Sequence, residues 1–547
     1  MIIYSQNHLN VFSVIYPYLE GLNINYKIVE VFMFLLEDIR FRTFRLTNKL
    51  YSTFWHCFKL LVSYIFVCLP FQFLVTHYGA TPGFIRTLLL LLGFFGTLVG
   101  ILYVTRNRIC KSVQWLWTPI ILFLISLSIR LCVINFIGRG TTQISDFMMA
   151  FQSAKKAIPI QIDQYAIFSN WGMYVFYLKV IFKIFGMSEL TGIINNAFLE
   201  AGSVVLIYYL VLLTLQDKYV YIVASTSSLL YALWPSQLVY LVLLTPEFVH
   251  IFLLLLGLVF LVLARKVINY KHGRWGIFGY MLSALCVSLS GFFKSTDKIM
   301  VIAVLISSVF FWCISSKKKL AFKIGKGEPL SVSLHAIGIT VFLFSYLIAN
   351  NLGFAFLDYY VGRTVNRNPT PHFMNIGLSF DSQGTWNPEV GGEYSNVIYE
   401  TGFDYDKANH IIMDSIKRDI IQNNHITVQF FVKKLTDTWQ GMDYLYFAQE
   451  TIKEDNRIYI EQRGAEIVFQ SFYLVIGILV FLGCIFSLKE RPNEFLFCSA
   501  LFVVGFMLLL LILESQTRYK VVTYPYICVL AGAGVRHLVG QFERSKK

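Results

Sequence analysis

Ionisable residues beside apolar runs are the side chains of this sequence that could do chemistry together. They are Asp146 in SDF, Glu247 in LVLLTPEFVH, Lys294 and Lys298 in GFFKSTDK, and Glu514, Arg518 and Lys520 in ESQTRYKVVTYPY. A carboxylate can deprotonate an attacking hydroxyl, and a cation can stabilise charge that develops on a departing phosphate. Carboxylates and cations at one depth of one face would therefore suit the transfer of a sugar from a lipid phosphate. Whether they share a face depends on the elements that position them.

The composition predicts a polytopic membrane protein. Of 547 residues, 56% are hydrophobic and 14% are charged, and the mean hydropathy is +0.60. The apolar runs cover approximately 58–78, 85–105, 116–137, 190–213, 218–234, 248–264, 275–292, 299–315, 331–350, 467–487, 494–513 and 521–538. We therefore expect an all-α bundle of about twelve transmembrane helices.

Basic residues lie in the short loops between these runs. Clusters precede the first run and follow the second, sixth, eighth and tenth runs, and the chain ends in a basic tail. By the positive-inside rule, every cluster is cytoplasmic if both termini are cytoplasmic. The same distribution accounts for the net charge of +14 without nucleic acid. The segment WGMYVFYLKVIFKIFG (171–186) is short for a span and carries two lysines, so we expect it to lie on the outer surface.

This topology divides the chain into four parts. The parts are an N-terminal interfacial or cytoplasmic segment (1–57), a transmembrane catalytic module (58–350) with a first outer loop (138–189), an extracytoplasmic loop domain (351–466), and C-terminal transmembrane helices with a basic tail (467–547). Asp146, Glu247, Lys294 and Arg518 then all lie on the extracytoplasmic face of the cell membrane.

Each candidate also has a simpler structural interpretation. Ser145 and Asp146 would make a good helix N-cap, and the helix dipole would favour Glu247 in a first turn. Arg130 would contact lipid phosphate or pair with a carboxylate, and His250 would be packed rather than metal-bound. Extension to lipid headgroups is the simpler interpretation of three cations, Lys294, Lys298 and Arg518. A divalent metal is compatible with the sequence, but no ligand spacing indicates a metal or other cofactor.

The order of these motifs resembles the GT-C glycosyltransferases. More narrowly, it is similar to their bacterial family-39-like branch, which is related to protein O-mannosyltransferases and lipid A aminoarabinose transferases. The resemblance covers about residues 116–540 and is carried by Asp146 after a span, the 171–186 segment, ALWPSQLVYLVLLTPEFVH, SGFFKSTDK and ESQTRYKVVTYPYICVLAGAGV. It implies a GT-C-like bundle with extracytoplasmic juxtamembrane helices and a late outer loop domain.

The resemblance also implies roles for particular residues. Asp146 takes the place of the catalytic base, Glu247 that of a second acidic residue, and Lys294 and Arg518 those of donor-phosphate contacts. The further candidate substrate-binding residues are Lys298, Arg130, Arg139 and Tyr519. The implied partners are a polyprenyl-phosphate-linked sugar donor and a glycan, lipid or protein acceptor. Phe147 stands where protein O-mannosyltransferases typically carry a second acidic residue, so an envelope polysaccharide or teichoic acid is the favoured acceptor.

The expected function is therefore inverting, polyprenyl-phosphate-sugar-dependent glycosyl transfer. An O-antigen ligase or polysaccharide polymerase would instead depend on cations of the late outer segment, where Arg363, Arg367 and His372 are available. A lipid or glycan transporter would place polar residues deep in several spans, where we find Asn195 and Asn196 and little else.

Overall fold

The structure is a computed structural model of the chain. It describes residues 49–78, 82–105, 113–138, 143–156, 162–215, 217–268, 273–315, 320–322, 330–332, 334–423, 427–440, 462–489 and 493–545. The N-terminal segment expected over 1–57 lies almost wholly outside these residues, and so does Arg139.

Helices dominate the described chain. The α-helices are Leu69–Tyr78, Pro82–Thr105, Thr118–Val133, Ser145–Lys155, Ile162–Ile167, Ser169–Phe185, Glu189–Thr214, Val220–Ala232, Pro235–Tyr240, Glu247–Ile268, Gly273–Gly291, Asp297–Ser315, Leu334–Val361, Thr370–Gly377, Pro388–Glu400, Tyr405–Asn423, Val428–Gln440, Gln462–Lys489, Glu494–Ile512 and Tyr524–Ser545. Three π-helical turns (Ser63–Cys68, Val113–Trp117, Ile134–Gly138) and a 3-10 helix (Thr517–Thr523) complete the helical elements. Two short strands, Leu320–Phe322 and Leu330–Val332, pair antiparallel and are the one departure from the all-α prediction in the described part of the chain.

Within the described residues, nine helices are long and apolar enough to cross a membrane. They are Lys49–Phe73, Ile85–Val104, Trp115–Ile137, Glu189–Thr214, Glu247–Ile268, Ala336–Val361, Ile467–Lys489, Glu494–Ile512 and Thr517–Ser545. This gives the architecture of a multi-span membrane protein, but it does not confirm twelve spans. The run at 218–234 forms only a 13-residue helix, because the chain breaks at Trp234 and restarts at Pro235. The runs at 275–292 and 299–315 form 19-residue helices that are outside the nine.

The bundle core is largely aromatic and aliphatic. The helix Glu247–Ile268 packs against Gly273–Gly291 and Glu189–Thr214, while Gln462–Lys489 packs against Tyr524–Ser545. At the break between Val220–Ala232 and Pro235–Tyr240, the Trp234 ring stacks on Tyr524 with centroids 3.8 Å apart. The interrupted helix is therefore fixed in the core by ring packing.

The late segment begins eleven residues later than the expected boundary at 350, since the helix Leu334–Val361 continues to Val361. Its four helices between 370 and 440 carry a small core of their own, which also takes in Ile167 from the first loop. The two loops meet again where Asn366 N donates to Ala166 O (2.7 Å) and where Arg363 pairs with Asp163 (2.7 Å). The first loop and the late segment therefore contact each other directly.

The late segment also holds the chain that leads into the last span. The Lys434 ammonium, 2% exposed, donates to the carbonyl oxygens of Gly377 (2.5 Å), Leu511 (3.1 Å) and Leu513 (2.6 Å). Gly377 permits the close approach, because a Cβ there would lie 2.2 Å from the Leu513 carbonyl carbon. The ammonium therefore satisfies carbonyls at the end of the helix Glu494–Ile512, where a positive charge is favoured.

Candidate functional site

Glu247 begins a helix and is held by two donors. Pro246 precedes it, as is common at helix starts, and the carboxylate is 5% exposed. Its Oε1 accepts from the Lys294 ammonium at 2.7 Å, and the Thr245 hydroxyl donates to its Oε2. The Thr245 hydroxyl also lies 3.0 Å from that of Tyr240. Glu247 is therefore an ion-paired carboxylate rather than only a first-turn residue that the helix dipole favours.

Lys294 projects from a tight turn between the helices Gly273–Gly291 and Asp297–Ser315. The turn is braced by His250, whose Nδ1 lies 2.9 Å from Ser290 O and whose Nε2 lies 2.8 Å from Thr296 Oγ1. The imidazole is thus packed and hydrogen-bonded, as the simpler interpretation expected. The Lys294 ammonium also lies 4.5 Å from the centroid of the Tyr519 ring.

Arg518 brings the last span to the first loop. It lies in the 3-10 helix Thr517–Thr523, and its guanidinium carbon is 5.6 Å from the Phe147 ring and 5.4 Å from the Tyr519 ring. Phe147 is the residue after Asp146, so the guanidinium stands beside the Asp146 turn. The faces of these two aromatic rings favour a cation at this place.

Asp146 is the least restrained carboxylate of the group. Ile144, not Ser145, is the N-cap of the helix Ser145–Lys155, and no side chain caps that helix end. Ser145 has φ 48°, a left-handed conformation that is uncommon for residues other than glycine. Within the described residues, no hydrogen bond reaches the Asp146 carboxylate. The N-cap interpretation of Ser145 and Asp146 is therefore not what this helix start shows.

Burial raises the pKa of Asp146 above its usual range. The positive charge of Arg518 opposes this rise, and the negative charge of Glu247 adds to it. Asp146, Arg518 and Glu247, from three distant parts of the sequence, thus lie close enough to interact electrostatically. A carboxylate with a raised pKa binds a proton more strongly than an ordinary aspartate.

Glu514 is a third acidic residue of the site, which the sequence offered together with Arg518 and Lys520 but to which no role was given. Its carboxylate is 4% exposed, accepts from Gln516 Nε2 at 2.5 Å, and is hydrogen-bonded to the Tyr519 side chain. Burial raises the pKa of Glu514, while the charge of Arg518 lowers it. Its position in ESQTRYK beside Arg518 was the available signal. Nothing in the sequence around Thr245 or Tyr240 indicated that they would join the hydrogen-bonded group at Glu247.

Three predicted substrate-binding residues lie elsewhere or are not described. Arg130, 1% exposed, is deep in the bundle and pairs with Glu200 at 3.1 Å, which is the carboxylate-pairing alternative. Lys298 is exposed in the first turn of Asp297–Ser315, and no described contact joins it to Glu247 or Arg518. Arg139 is outside the described residues. Tyr519, by contrast, lies within the group.

The residues of the alternative ligase or polymerase hypothesis do not form one cluster. Arg363 pairs with Asp163, whereas Arg367 pairs with Asp358 at 3.2 Å. His372 is buried among aromatic rings, and burial lowers its pKa to about 4. No group of three or more His, Cys, Asp or Glu side chains is arranged for a metal ion in the described part of the chain.

Comparisons with known proteins give remote structural likenesses alone. No family model matches the sequence, and no curated protein matches it. The solved structures that it resembles include the apo oligosaccharyltransferase of Archaeoglobus fulgidus (13% identity, TM-score 0.43) and the same enzyme tethered to an acceptor peptide with an NVT sequon (11%, 0.44). A third is AglB from Archaeoglobus fulgidus with an inhibitory peptide and a dolichol-phosphate (11%, 0.38).

Each of these superpositions covers 79% of this chain and 51% of the other. The chain therefore spans about half the length of the structures that it matches. Superpositions this loose carry no argument about fold or activity, so both rest on the chain's own residues.

Proposed function

We propose that the protein is an inverting glycosyltransferase of the GT-C type that takes a sugar from a polyprenyl-phosphate donor. The observation that carries the proposal is the convergence of Asp146, Glu247, Lys294 and Arg518 from four separate elements. Three interactions join them. Glu247 forms an ion pair with Lys294, Arg518 contacts the ring of Phe147, and the charge of Glu247 raises the pKa of Asp146. Paired acids and cations at one place are what proton removal and phosphate departure require.

The reaction is a single displacement. The acceptor hydroxyl oxygen bonds to the anomeric carbon while the bond from that carbon to the phosphate oxygen breaks. The hydroxyl proton passes to Asp146, and the bonding electron pair leaves with the polyprenyl phosphate. Attack on the face opposite the leaving group inverts the anomeric configuration.

Asp146 suits the base better than Glu247 does. Glu247 already accepts from Lys294 and Thr245, so both of its oxygens are engaged and its negative charge is paired with the Lys294 ammonium. The Asp146 carboxylate accepts no hydrogen bond from a described residue, and its pKa is raised chiefly by burial. A higher pKa makes it a stronger base, which favours proton transfer from a hydroxyl.

Lys294 and Arg518 suit the leaving group. Lysine supplies a compact charge, while arginine can contact two phosphate oxygens at once. Because Lys294 is only partly exposed and Arg518 contacts two aromatic rings, bulk water screens them less than it screens surface cations. Glu247 holds Lys294 at the site before a donor arrives.

The proposed site is extracytoplasmic, with both termini in the cytoplasm, as the basic loops predict. A polyprenyl donor needs a site at the membrane boundary, where its sugar is in water and its tail is in lipid. The acceptor class is a cell-envelope glycan, teichoic acid, lipid or protein.

Consumption of lipid-linked sugars tests this proposal. Purified protein in lipid nanodiscs would be incubated with a panel of polyprenyl-phosphate sugars and with acceptors of each class. We expect release of polyprenyl phosphate from one donor and a product of inverted anomeric configuration by NMR. Retained configuration would contradict the single displacement, and consumption of no donor in the panel would contradict the function.

A further inference from the structure

The side-chain amide of Gln143 joins the two chain segments that carry Asp146 and Glu247. Its Nε2 donates to Val242 O at 2.9 Å, and its Oε1 accepts from Leu244 N at 2.8 Å. The side chain is 1% exposed. Asp146 comes three residues after Gln143, and Glu247 comes three residues after Leu244. One amide group therefore fixes the starting points of both carboxylate-bearing turns relative to each other.

The segment that Gln143 holds is buried and non-helical. Residues 241–246 connect the helices Pro235–Tyr240 and Glu247–Ile268, and all of them are buried. Buried backbone polar groups need partners, and side-chain amides supply several of them here. Asn196 Nδ2 supports the same segment from another side, with Leu241 O at 3.2 Å and Leu243 O at 2.8 Å. Of these two amides, only that of Gln143 belongs to the chain segment that carries Asp146.

The place of Asp146 depends on its backbone. No described residue hydrogen-bonds its carboxylate, and the helix start before it has the left-handed Ser145 and no side-chain cap. The two hydrogen bonds of Gln143 are thus the nearest polar anchor on the N-terminal side of this turn. Glu247, by contrast, is also held through its own side chain by Lys294.

We propose that Gln143 is a positioning residue that sets the separation of the Asp146 and Glu247 carboxylates, an inference that rests on the proposed glycosyl transfer. Two like charges repel, so their separation is kept only while the backbone segments stay joined. The separation also bears on basicity, since burial and then the charge of Glu247 raise the pKa of Asp146, against the charge of Arg518. Loss of the amide lets the carboxylates move apart and lowers that pKa.

Gln143→Met tests the proposal, because methionine is similar in length and lacks both the donor and the acceptor. Asn196→Leu is the matched control. It removes hydrogen bonds to the segment 241–246 but changes no contact of the chain segment that carries Asp146. For Gln143→Met we expect turnover to fall roughly 10- to 100-fold. Binding of a non-transferable polyprenyl-phosphate analogue should stay within about twofold, because Lys294 and Arg518 are untouched.

The pH dependence of kcat distinguishes a positioning role of Gln143 from general support of the 241–246 segment. In Gln143→Met the acid limb of kcat should move to lower pH, whereas in Asn196→Leu it should stay at the wild-type position. An unmoved limb in Gln143→Met, or an equal movement in both variants, would overturn the proposal. If Gln143→Met does not fold, Gln143→Asn keeps both polar groups on a shorter side chain and should move the limb in the same direction.

A readout without turnover distinguishes this inference from the proposed function. The rate at which a water-soluble carbodiimide modifies Asp146, followed by mass spectrometry across pH, reports the pKa of that carboxyl group directly. We expect a lower midpoint in Gln143→Met and the wild-type midpoint in Asn196→Leu. Failure of wild-type protein to use any donor would refute glycosyl transfer, whereas identical midpoints in all three proteins would refute the role of Gln143.

Discussion

The Lys294 ammonium donates to Glu247 Oε1 at 2.7 Å, across 47 residues of sequence. Both side chains are largely buried, with exposures of 19% and 7%. Removing one partner of such a pair leaves the other charge without compensation, which is costly in a poorly hydrated place. The pair therefore holds a cation and a carboxylate in fixed relation beside Asp146 and Arg518.

Replacement of the two cations should weaken donor binding. Lys294→Ala and Arg518→Lys should each raise the Kd of a non-transferable polyprenyl-phosphate analogue roughly tenfold or more, because the first loses a charged contact and the second loses one of the two contacts of the guanidinium. Arg518→Lys keeps the charge, so its effect isolates the two-point contact of the guanidinium. Lys417→Ala, which changes an exposed lysine of the late segment, is the control. If both site variants bind the analogue with the wild-type Kd, Lys294 and Arg518 contact lipid headgroups and not the donor phosphate.

Glu247→Gln should change the pH dependence of turnover. The negative charge of Glu247 contributes to the raised pKa of Asp146, so its removal lowers that pKa. Asp146 then stays deprotonated to lower pH, and the acid limb of kcat moves to lower pH while kcat itself falls. A pH series of initial rates measures the shift. An acid limb at the wild-type pH in Glu247→Gln would contradict an effect of the Glu247 charge on the pKa of Asp146.

Lys434→Met should flatten the pH dependence of stability. Burial lowers the pKa of Lys434 from 10.5 to about 7, and the charge of Glu514 opposes this. Between these two values the unfolded chain binds more protons at this residue than the folded chain, so its contribution makes stability rise with pH. Methionine removes that contribution. Thermal unfolding of both proteins in the same detergent from pH 6.5 to 10 should show the smaller rise in Tm for the variant, and parallel curves would contradict this assignment.

Labelling from the two sides of the membrane tests the topology. Single cysteines introduced near 190 and near 380 should both react with a membrane-impermeant reagent from outside intact cells, because the basic loops place both segments there. The control is a cysteine in the basic loop at 317–319, which should react only after the membrane is opened. Labelling near 190 only from the cytoplasm would make 171–186 a span.

The grouping of charged residues in the candidate site could be anticipated in part, because these residues stand next to apolar runs. Asp146, Glu247, Lys294 and Arg518 each mark a point where the chain leaves or enters such a run, and membrane depth then restricts which of them can meet. Local sequence does not, however, encode partner choice. Nothing around Gln143 or Lys434 indicates that their partners are backbone groups about one hundred and about sixty to eighty residues away.

Packing inside the bundle was only partly predictable, because local sequence does not show which buried residues meet. An arginine and a glutamate each inside an apolar run, Arg130 and Glu200, were a signal for a buried pair. Hydropathy overestimated the run at 218–234, because it does not register the chain break at Pro235 that shortens the helix to Ala232. Apolar length alone does not distinguish a span from a buried, interrupted segment.

Turnover by Asp146→Asn tests whether Asp146 is the base. The amide has nearly the shape of the carboxylate but cannot accept the proton of the acceptor hydroxyl. With the donor identified from the panel, we predict that Asp146→Asn loses about 10²–10⁴-fold in kcat and binds the non-transferable polyprenyl-phosphate analogue like the wild type. Near-normal kcat in a variant that folds and binds the analogue would contradict proton removal by Asp146.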